Sequence, residues 1–171
     1  MLRASSTALM AALHAHAPAA EHADALGLYG RFIGDWESEV VAYGSDGSRH
    51  EGRGEIHFGW ILAGRAIQDV WMIPRQCDRT ADAPLMPVAG NWYGTTIRVY
   101  DAATRSWRIY WIDPATNAYY QQIGRAQGPD IVQEGTTPYG ARSRWSFTAI
   151  RPASFHWKGE ASFDDGASWR L

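Results

Sequence analysis

Residues 35–62 read DWESEVVAYGSDGSRHEGRGEIHFGWIL and contain two runs in which apolar and polar side chains largely alternate. The letters GSDG at residues 44–47 separate the two runs, and this composition is typical of a tight turn. A period of two places successive side chains on opposite faces of a β-strand. The stretch therefore predicts a β-hairpin with strands at residues 35–43 and 49–62.

The same alternation continues along the chain in short runs that end at Gly, Pro, Asn or Asp. Short connections between such runs favour antiparallel neighbours. We predict an all-β fold, an antiparallel up-and-down β-barrel of about eight to ten strands with a short N-terminal helix. The further predicted strands cover residues 65–73, 91–100, 106–113, 118–126, 142–150 and 154–163, and a short strand starts near residue 130.

Two segments depart from the strand pattern. Residues 1–27 predict a leader and a helix, with the helix running from Glu21 to Ile33, and residues 28–171 predict the barrel. Residues 75–90 are rich in Pro, Ala and Asp and predict a long loop at the barrel mouth. Histidines interrupt the apolar run of the leader, so it predicts neither a signal peptide nor a membrane span. We therefore expect a cytoplasmic protein.

The residues that most often bind metals do not form a recognisable motif. His14, His16 and His22 lie close together in the leader, but no carboxylate or cysteine joins them, and we interpret them as an exposed helix face. Cys77 is the single cysteine, which excludes an internal disulfide and a paired-cysteine zinc motif. We predict no metal site and no cofactor.

Charge and motifs exclude several classes of function. The chain of 171 residues has 16 basic and 18 acidic side chains and a formal charge of -2. A surface that follows phosphates needs an excess of basic residues, so we expect no nucleic-acid partner, and no long apolar stretch indicates a membrane partner. The sequence contains neither a Gly-x-Ser-x-Gly nucleophile motif nor a glycine-rich phosphate loop.

Nine tryptophans are many for this length, and most of them lie in the alternating runs. The more apolar face of each strand should point inward, because the outer face of the barrel is wet. Strands 65–73 and 118–126 have no clearly apolar face, which leaves the sides of Asp69 and Trp71 open. The other strands predict these inward residues: Trp36, Val40, Ala42, Ile56, Phe58, Trp60, Ile97, Val99, Trp107, Ile109, Trp111, Trp145, Phe147, Ala149, Phe155, Trp157, Ala161 and Phe163.

Four short motifs occur in an order that resembles a known family. FIGDW at residues 32–36 resembles the Gly-x-Trp opening of calycin-type barrels, and LAGRA at 62–66, WID at 111–113 and DGASW at 165–169 follow it. Together they resemble a bacterial group of lipocalin-like domains of poorly characterised function. The resemblance implies a lipocalin-like barrel that holds apolar ligands, and it implies no set of catalytic residues. Because the chain ends soon after the last motif, we expect a shortened or partly open barrel.

We expect the barrel to bind a small hydrophobic or aromatic molecule, since a barrel of about eight to ten strands has room inside for one small ligand. The indole rings would line that space. Alternatively, they fill a structural barrel to solid density, and either barrel could form a homodimer. The candidate ligand-binding residues are Trp60, Gln68, Trp71, Trp111, Gln121, Trp145, His156 and Trp157.

A cofactor-free acid/base enzyme, of the isomerase, cyclase or hydro-lyase type, is the alternative function. Its candidate catalytic residues are Asp69, His57 and Tyr119. Desolvation among apolar side chains would disfavour the ionised form of Asp69 and suit it to proton transfer. The interpretation that we favour for Asp69 is structural, as an acceptor for a backbone amide or an arginine at the barrel rim. Haem ligation by His57 or His156 is the least favoured reading.

Overall fold

The computed structural model describes residues 6–79 and 91–171, and most of them lie in antiparallel β-strands. The chain begins with a helix, a two-residue strand and a second helix. A short 3-10 helix at Gln76–Asp78 follows the third of the long strands. The elements are α1 (Ser6–Leu13), β1 (His14–Ala15), α2 (Ala23–Gly30), β2 (Gly34–Tyr43), β3 (Arg49–Ile61), β4 (Ala66–Ile73), β5 (Trp92–Asp101), β6 (Ser106–Asp113), β7 (Ala118–Gln127), β8 (Asp130–Thr136), β9 (Arg142–Arg151) and β10 (Ser154–Ser162).

The strands form one sheet in which β3 to β10 pair with their neighbours in chain order. The predicted hairpin is confirmed, because β2 pairs with β3 from Gly34 opposite Phe58 to Tyr43 opposite Arg49. The far end of β3 pairs with β1, where His14 lies opposite Ile61. The sheet curls into the predicted antiparallel up-and-down barrel.

The curled sheet leaves a seam between β2 and β10. No ladder joins these two strands within the described residues. The rings of Trp36 on β2 and Phe155 on β10 lie 4.8 Å apart between centroids and cover part of the seam. At the other end of β10, Ala161 and Arg170 exchange two backbone hydrogen bonds of 2.9 Å. In a closed barrel, a further hydrogen-bonded ladder would join β2 and β10. Here the contact of Trp36 with Phe155 and the pairing of Arg170 with Ala161 occupy that edge.

Helix α2 covers one end of the barrel. Its Leu26 and Tyr29 are buried, and Phe32 follows them into the core. The predicted boundary between residues 27 and 28 falls inside this helix. The indole N–H of Trp36 donates a hydrogen bond of 2.7 Å to the carbonyl of Phe32, and Gly34 between them adopts φ +132°. Glycine tolerates this conformation best, which explains a sharp turn from the helix into β2.

The prediction of one helical face for the leader histidines is wrong. His14 belongs to β1, where it pairs with Ile61 of β3. The rings of His14 and His16 lie 4.6 Å apart, whereas His22 lies 5.6 Å from the ring of Tyr100. Among the described residues, no three histidine, cysteine or carboxylate side chains cluster as metal ligands would. No helix in the same residues has the length and apolar character of a membrane span.

Most of the predicted inward residues lie in or against the core, but β5 is reversed. Arg98 is 1% exposed, and Val99 is 38% exposed. The inward face of β5 carries polar groups because Arg98 has a buried acid to pair with on β4, and this outweighs the apolar character of Ile97 and Val99. The prediction is also wrong for Ala149 and Phe163, which are exposed at strand ends.

Candidate functional site

Phenylalanine and tyrosine rings fill the end of the barrel that α2 covers. We call the group Tyr29, Phe32, Phe58, Phe147 and Phe155 the packed end. The ring of Phe32 lies 4.8 Å from that of Phe147 and 4.9 Å from that of Phe155. Four of the five residues are no more than 5% exposed, and Phe155 is half-buried. Rings at these distances exclude any ligand from this end.

The opposite half of the barrel contains a cavity of about 380 Å³. Five tryptophans line it, and we call it the tryptophan chamber. The rings of Trp71 and Trp157 lie 5.1 Å apart, and the ring of Trp145 lies 5.7 Å from that of Trp157 and 6.1 Å from that of Trp111. Trp92 completes the group at 5.8 Å from Trp157. The contacts are tilted or edge-to-face, so the indoles form a curved wall rather than a solid stack.

Glycine on β5 makes room for one indole of this wall. A methyl group at Gly94 would lie 2.5 Å from the ring of Trp111, closer than any side chain tolerates. Gly159 on β10 has the same relation to Trp157, at 2.8 Å. The two indoles therefore lie against backbone that carries no side chain, which holds them along the chamber wall.

Two turns frame the mouth of the chamber. Thr116 and Asn117 contribute from the β6–β7 turn, and Pro138 and Tyr139 from the β8–β9 turn. Tyr120, just inside, has its pKa raised by burial and further by the neighbouring Tyr139. Polar groups thus surround the entrance to an aromatic interior.

The predicted loop at residues 75–90 lies mainly outside the described residues. Its first residues are described, and Arg79 ties them to the sheet. The Arg79 guanidinium donates to the carbonyls of Ile73 and Trp92, at 3.2 and 3.1 Å. The side chain therefore holds the ends of β4 and β5 together, next to Trp92 of the chamber.

A buried ion pair separates the packed end from the chamber. Asp69 is 0% exposed, and Nη1 of Arg98 donates to its Oδ2 while the backbone N–H of Thr96 donates to its Oδ1 at 3.1 Å. The guanidinium lies 5.2 Å from the ring centroid of Tyr29 and 5.5 Å from that of Phe58. Arg98 also lines the chamber, where the chamber meets the packed end. The Asp69 carboxylate, which does not line the chamber, neutralises the charge of Arg98.

Two residues that line the chamber each contain a buried N–H group with no acceptor among the described residues. The two groups are Nε of Arg98 and Nε1 of Trp71. Asp113, a buried carboxylate that also lines the chamber, accepts at Oδ1 from the backbone N–H groups of Ala115 and Thr116, at 2.8 and 3.2 Å. Polar side chains therefore line both the inner end of the chamber and its rim.

The packed end contains its own polar contact, in which Gln133 bonds through its amide nitrogen while its buried Oε1 has no partner among the described residues. Gln133 donates to the hydroxyl of Tyr29 at 2.9 Å, and Gly124 leaves the space that this hydroxyl occupies. Burial strongly raises the pKa of Tyr29, although the nearby Arg98 opposes the shift. The hydroxyl serves as a fixed hydrogen-bonding group and is far from solvent.

None of the three candidate catalytic residues lines the chamber. Asp69 accepts from Arg98 and from the amide of Thr96, as the structural interpretation anticipates, but it is fully buried and does not lie at the barrel rim. His57 lies on the outer face of β3, where its Nδ1 is 2.6 Å from a carboxylate oxygen of Asp35. Tyr119 is 67% exposed on the outer face of β7. The structure does not bring the three side chains together.

Half of the candidate ligand-binding residues line the chamber: Trp71, Trp111, Trp145 and Trp157. Trp60 is buried against α2, where its ring occupies the space beside Gly30. Gln68 bonds to Thr95 at 2.9 Å on the outer side of the sheet. Gln121 and His156 are exposed on outer faces.

The sequence reasoning missed Arg98, Thr96, Trp92 and Tyr120 as lining residues. One signal could have located Arg98. An acid such as Asp69, on the same face as Ile67 and Trp71, needs a partner, and the adjacent strand β5 has one arginine within its alternating run. The other residues follow only from the register of the strands.

A second depression of about 560 Å³ lies along β6, β7 and β8. It is larger but shallow, and exposed side chains such as Arg108, Tyr110, Tyr119 and Gln121 line it. Enclosure favours ligand binding more than volume does, because a ligand in the chamber loses more contact with water. We therefore take the chamber as the candidate functional site.

Comparison with known proteins does not add a function. No protein-family model matches this chain, and no curated protein matches it either.

Proposed function

We propose that this protein binds one small hydrophobic or aromatic molecule in the tryptophan chamber. The observation that carries the proposal is a cavity of about 380 Å³ with five indole rings in its wall and a mouth between two turns. Sites for small molecules are typically concave, mostly apolar and roughly 300–1,000 Å³ in volume. The cavity falls within that range.

The wall suits a flat, apolar guest. Indole rings are rigid, so ordering them costs little conformational entropy, and their faces provide large contact areas. Trp71, Trp145 and Trp157 stand at tilted or edge-to-face angles to one another, so a ring between them would meet both faces and edges. Each Å² of apolar surface that the ligand and the wall remove from water contributes about 25 cal/mol.

The alternative functions have less support. A structural barrel with a filled core fits the packed end but not the chamber. Catalysis would need a group free to exchange a proton with the ligand, and Asp69 is instead held by Arg98 and by the amide of Thr96. We therefore place binding first.

Family and compartment are part of the same proposal. We propose a lipocalin-like domain that works in the cytoplasm. The contacts of Trp36 with Phe32 and Phe155, at the start of β2, support the first statement. The single cysteine, Cys77, is exposed and unpaired, which suits a reducing compartment.

The experiment is a titration with 2-ethylnaphthalene, a flat hydrocarbon, followed by intrinsic tryptophan fluorescence and by equilibrium dialysis. We expect a saturable change with one site per chain. Ala118 lines the chamber near its mouth, so the Ala118→Trp variant should fill part of the cavity and weaken affinity by about tenfold or more, a cost of roughly 1.4 kcal/mol.

The neighbouring residue provides the control. Tyr119 points to the outer face of the same strand and is 67% exposed, so Tyr119→Trp should leave the dissociation constant within about twofold of the original. Absence of saturable binding, or equal effects of the two variants, would show that the chamber is not the binding site.

A further inference from the structure

Three charged side chains are buried in the described part of the chain, and one of them has no partner of opposite charge there. They are Asp69, Arg98 and Asp113, each no more than 1% exposed. Asp69 and Arg98 form the ion pair described above. Asp113 accepts only from backbone N–H groups, and residues 80–90 contain no basic side chain. Buried carboxylates are normally paired, so this one needs an explanation.

A turn of the same kind elsewhere in the sheet shows what is missing at Asp113. In the β5–β6 turn, Oδ1 of Asp101 accepts from the backbone N–H groups two and three residues further on, at 3.0 and 3.3 Å. In the β6–β7 turn, Oδ1 of Asp113 does the same. Oδ2 of Asp101 accepts from the Arg108 guanidinium at 2.8 Å, whereas no described residue donates to Oδ2 of Asp113. The turn therefore accounts for only one oxygen of Asp113.

The second oxygen of Asp113 is open to the chamber. Asp113 lies on the inward face of β6, two residues after Trp111, and lines the chamber. Its Oδ2, unlike Nε of Arg98 and Nε1 of Trp71, is not sealed from solvent. A ligand in the chamber can therefore reach this oxygen directly.

Aromatic rings surround the approach to this oxygen. The β6–β7 ladder places Trp111 opposite Tyr120 and Asp113 opposite Ala118, so the carboxylate is one pair nearer the mouth than the two rings. The ring of Trp145 lies 6.1 Å from that of Trp111 and 5.5 Å from that of Tyr120. Diagonal neighbours on one face of a sheet are about 7–8 Å apart. A gap of that width accommodates one ammonium group in contact with the carboxylate and a ring.

We infer that the ligand is an apolar amine, whose protonated nitrogen donates to Oδ2 of Asp113 while its hydrocarbon part lies against the tryptophans. This inference rests on the proposed function and specifies the class of ligand. It gives the buried carboxylate the cation that Arg108 provides for Asp101. It also explains why a cavity with an apolar wall has a buried acid at its rim.

The electrostatics of the chamber favour a cation over a neutral or anionic group. Arg98 and Asp113 are the charged residues of its lining, and Asp69 already neutralises Arg98. Asp113 is therefore the lining charge that the described residues leave without a counter-charge. The faces of indole and phenol rings carry negative potential and attract an ammonium group within about 6 Å. An anionic ligand would be repelled by both the carboxylate and the ring faces.

Three naphthalenes of almost the same shape test the inference: 2-ethylnaphthalene, 2-naphthalenemethanol and 2-naphthylmethylamine, which is a cation at neutral pH. Equilibrium dialysis at neutral pH gives the dissociation constant of each. We expect the amine to bind about tenfold more tightly than the hydrocarbon, because hydrogen bonds between charged groups are the strong ones. The alcohol should fall between them, since it donates a hydrogen bond without a charge.

Asp113→Asn removes the charge and keeps a side-chain oxygen that can accept from the turn. It should reduce the preference for the amine over the hydrocarbon by about tenfold and leave the affinity for the hydrocarbon within about twofold. Asp101→Asn is the matched control, because it makes the same change in a turn of the same kind that does not line the chamber. It should leave all three dissociation constants within about twofold.

The outcomes separate the two proposals. If the hydrocarbon binds and the amine binds no more tightly, or if Asp113→Asn weakens all three ligands equally, the inferred amine is wrong while ligand binding stands. Equal affinities of the alcohol and the amine would overturn the cationic character of the ligand. If none of the three compounds binds, both the inference and the proposed function fail. The comparison of the three ligands on the unmodified protein does not depend on the stability of any variant.

Discussion

The two ends of this barrel are both aromatic, but one is solid and the other is hollow. At the packed end, Phe32 enters from the segment after α2 and contacts the rings of Phe58, Phe147 and Phe155. In the chamber, nothing equivalent enters among the described residues, and the tryptophans line a cavity of about 380 Å³. A sheet of this curvature leaves space at its axis, and an additional element must fill that space if it is to become core.

The contrast shows that aromatic content alone does not distinguish core from binding site. Indoles project from the strands at both ends, since Trp60 and Trp107 are buried near α2 while Trp71 and Trp145 face the chamber. What differs is the presence of the helix. The ion pair of Asp69 and Arg98 lies at the boundary, and its integrity affects both regions.

Breaking the ion pair should have the largest effect. Arg98→Met leaves the Asp69 carboxylate buried without its cation, and we expect a loss of about 3–5 kcal/mol in the free energy of unfolding. Urea denaturation measures this loss. The double variant Asp69→Leu with Arg98→Met should recover much of it, because apolar residues of similar size replace both charges.

An exposed pair serves as the control for that measurement. Arg142 and Asp165 also form an ion pair, with side chains 55% and 86% exposed. Arg142→Ala should cost less than about 1 kcal/mol, since water screens the pair. If Arg98→Met reduced the free energy of unfolding as little as Arg142→Ala does, the buried ion pair would not stabilise the boundary between the packed end and the chamber.

Removal of one ring from each region should sharpen the comparison. Phe32→Ala should cost about 3–5 kcal/mol, because the fully packed surroundings cannot collapse onto the space. Trp145→Ala should cost about 1–2 kcal/mol, because this half-buried indole already borders a cavity. Thermal or urea unfolding of the two variants gives the difference, about 1–4 kcal/mol by these estimates. Equal losses would mean that the chamber wall is packed as tightly as the other end.

The smallest expected effect concerns alkaline titration, which should distinguish Tyr29 of the packed end from Tyr120 of the chamber. Burial raises the pKa of both Tyr29 and Tyr120, and most strongly that of Tyr29. A raised pKa means that folding favours the protonated hydroxyl. The stabilisation is therefore complete below the unfolded value of about 10 and is lost as pH rises through the folded values.

Ultraviolet absorbance of tyrosinate follows this titration. We expect Tyr29→Phe to remove the absorbance that appears last, together with unfolding, and Tyr120→Phe to remove an earlier step that still lies above the ordinary range. Ionisation of Tyr29 along with the first tyrosines would contradict the sealed character of the packed end.

Much of the fold was predictable from local pattern. The hairpin of β2 and β3 and most strand limits follow from alternation and turn composition, because both depend on neighbouring residues. Three of the chamber tryptophans, Trp111, Trp145 and Trp157, were also predictable, since large rings in an alternating strand point to the interior. The leader was less predictable, because β1 forms only through pairing with β3.

The inward face of β5 was not predictable from its own residues. Ile97 and Val99 make the other face the more apolar one, yet Thr96 and Arg98 point inward. The reason lies on β4, where Asp69 occupies the inward face beside Trp71 and requires a cation. A polar side chain is buried or exposed according to its partner, and the partner here is 29 residues away.

The sequence by itself determined the strands, their antiparallel order and the aromatic character of the interior, because periodicity and turn chemistry act over a few residues. Only the tertiary structure decided the side of Trp71, the pairing of Asp69 with Arg98 and the division into a packed end and a chamber. These features depend on which side chains meet across strands and on where α2 ends. Burial of charge and filling of space are properties of the assembled sheet, so no single segment can specify them.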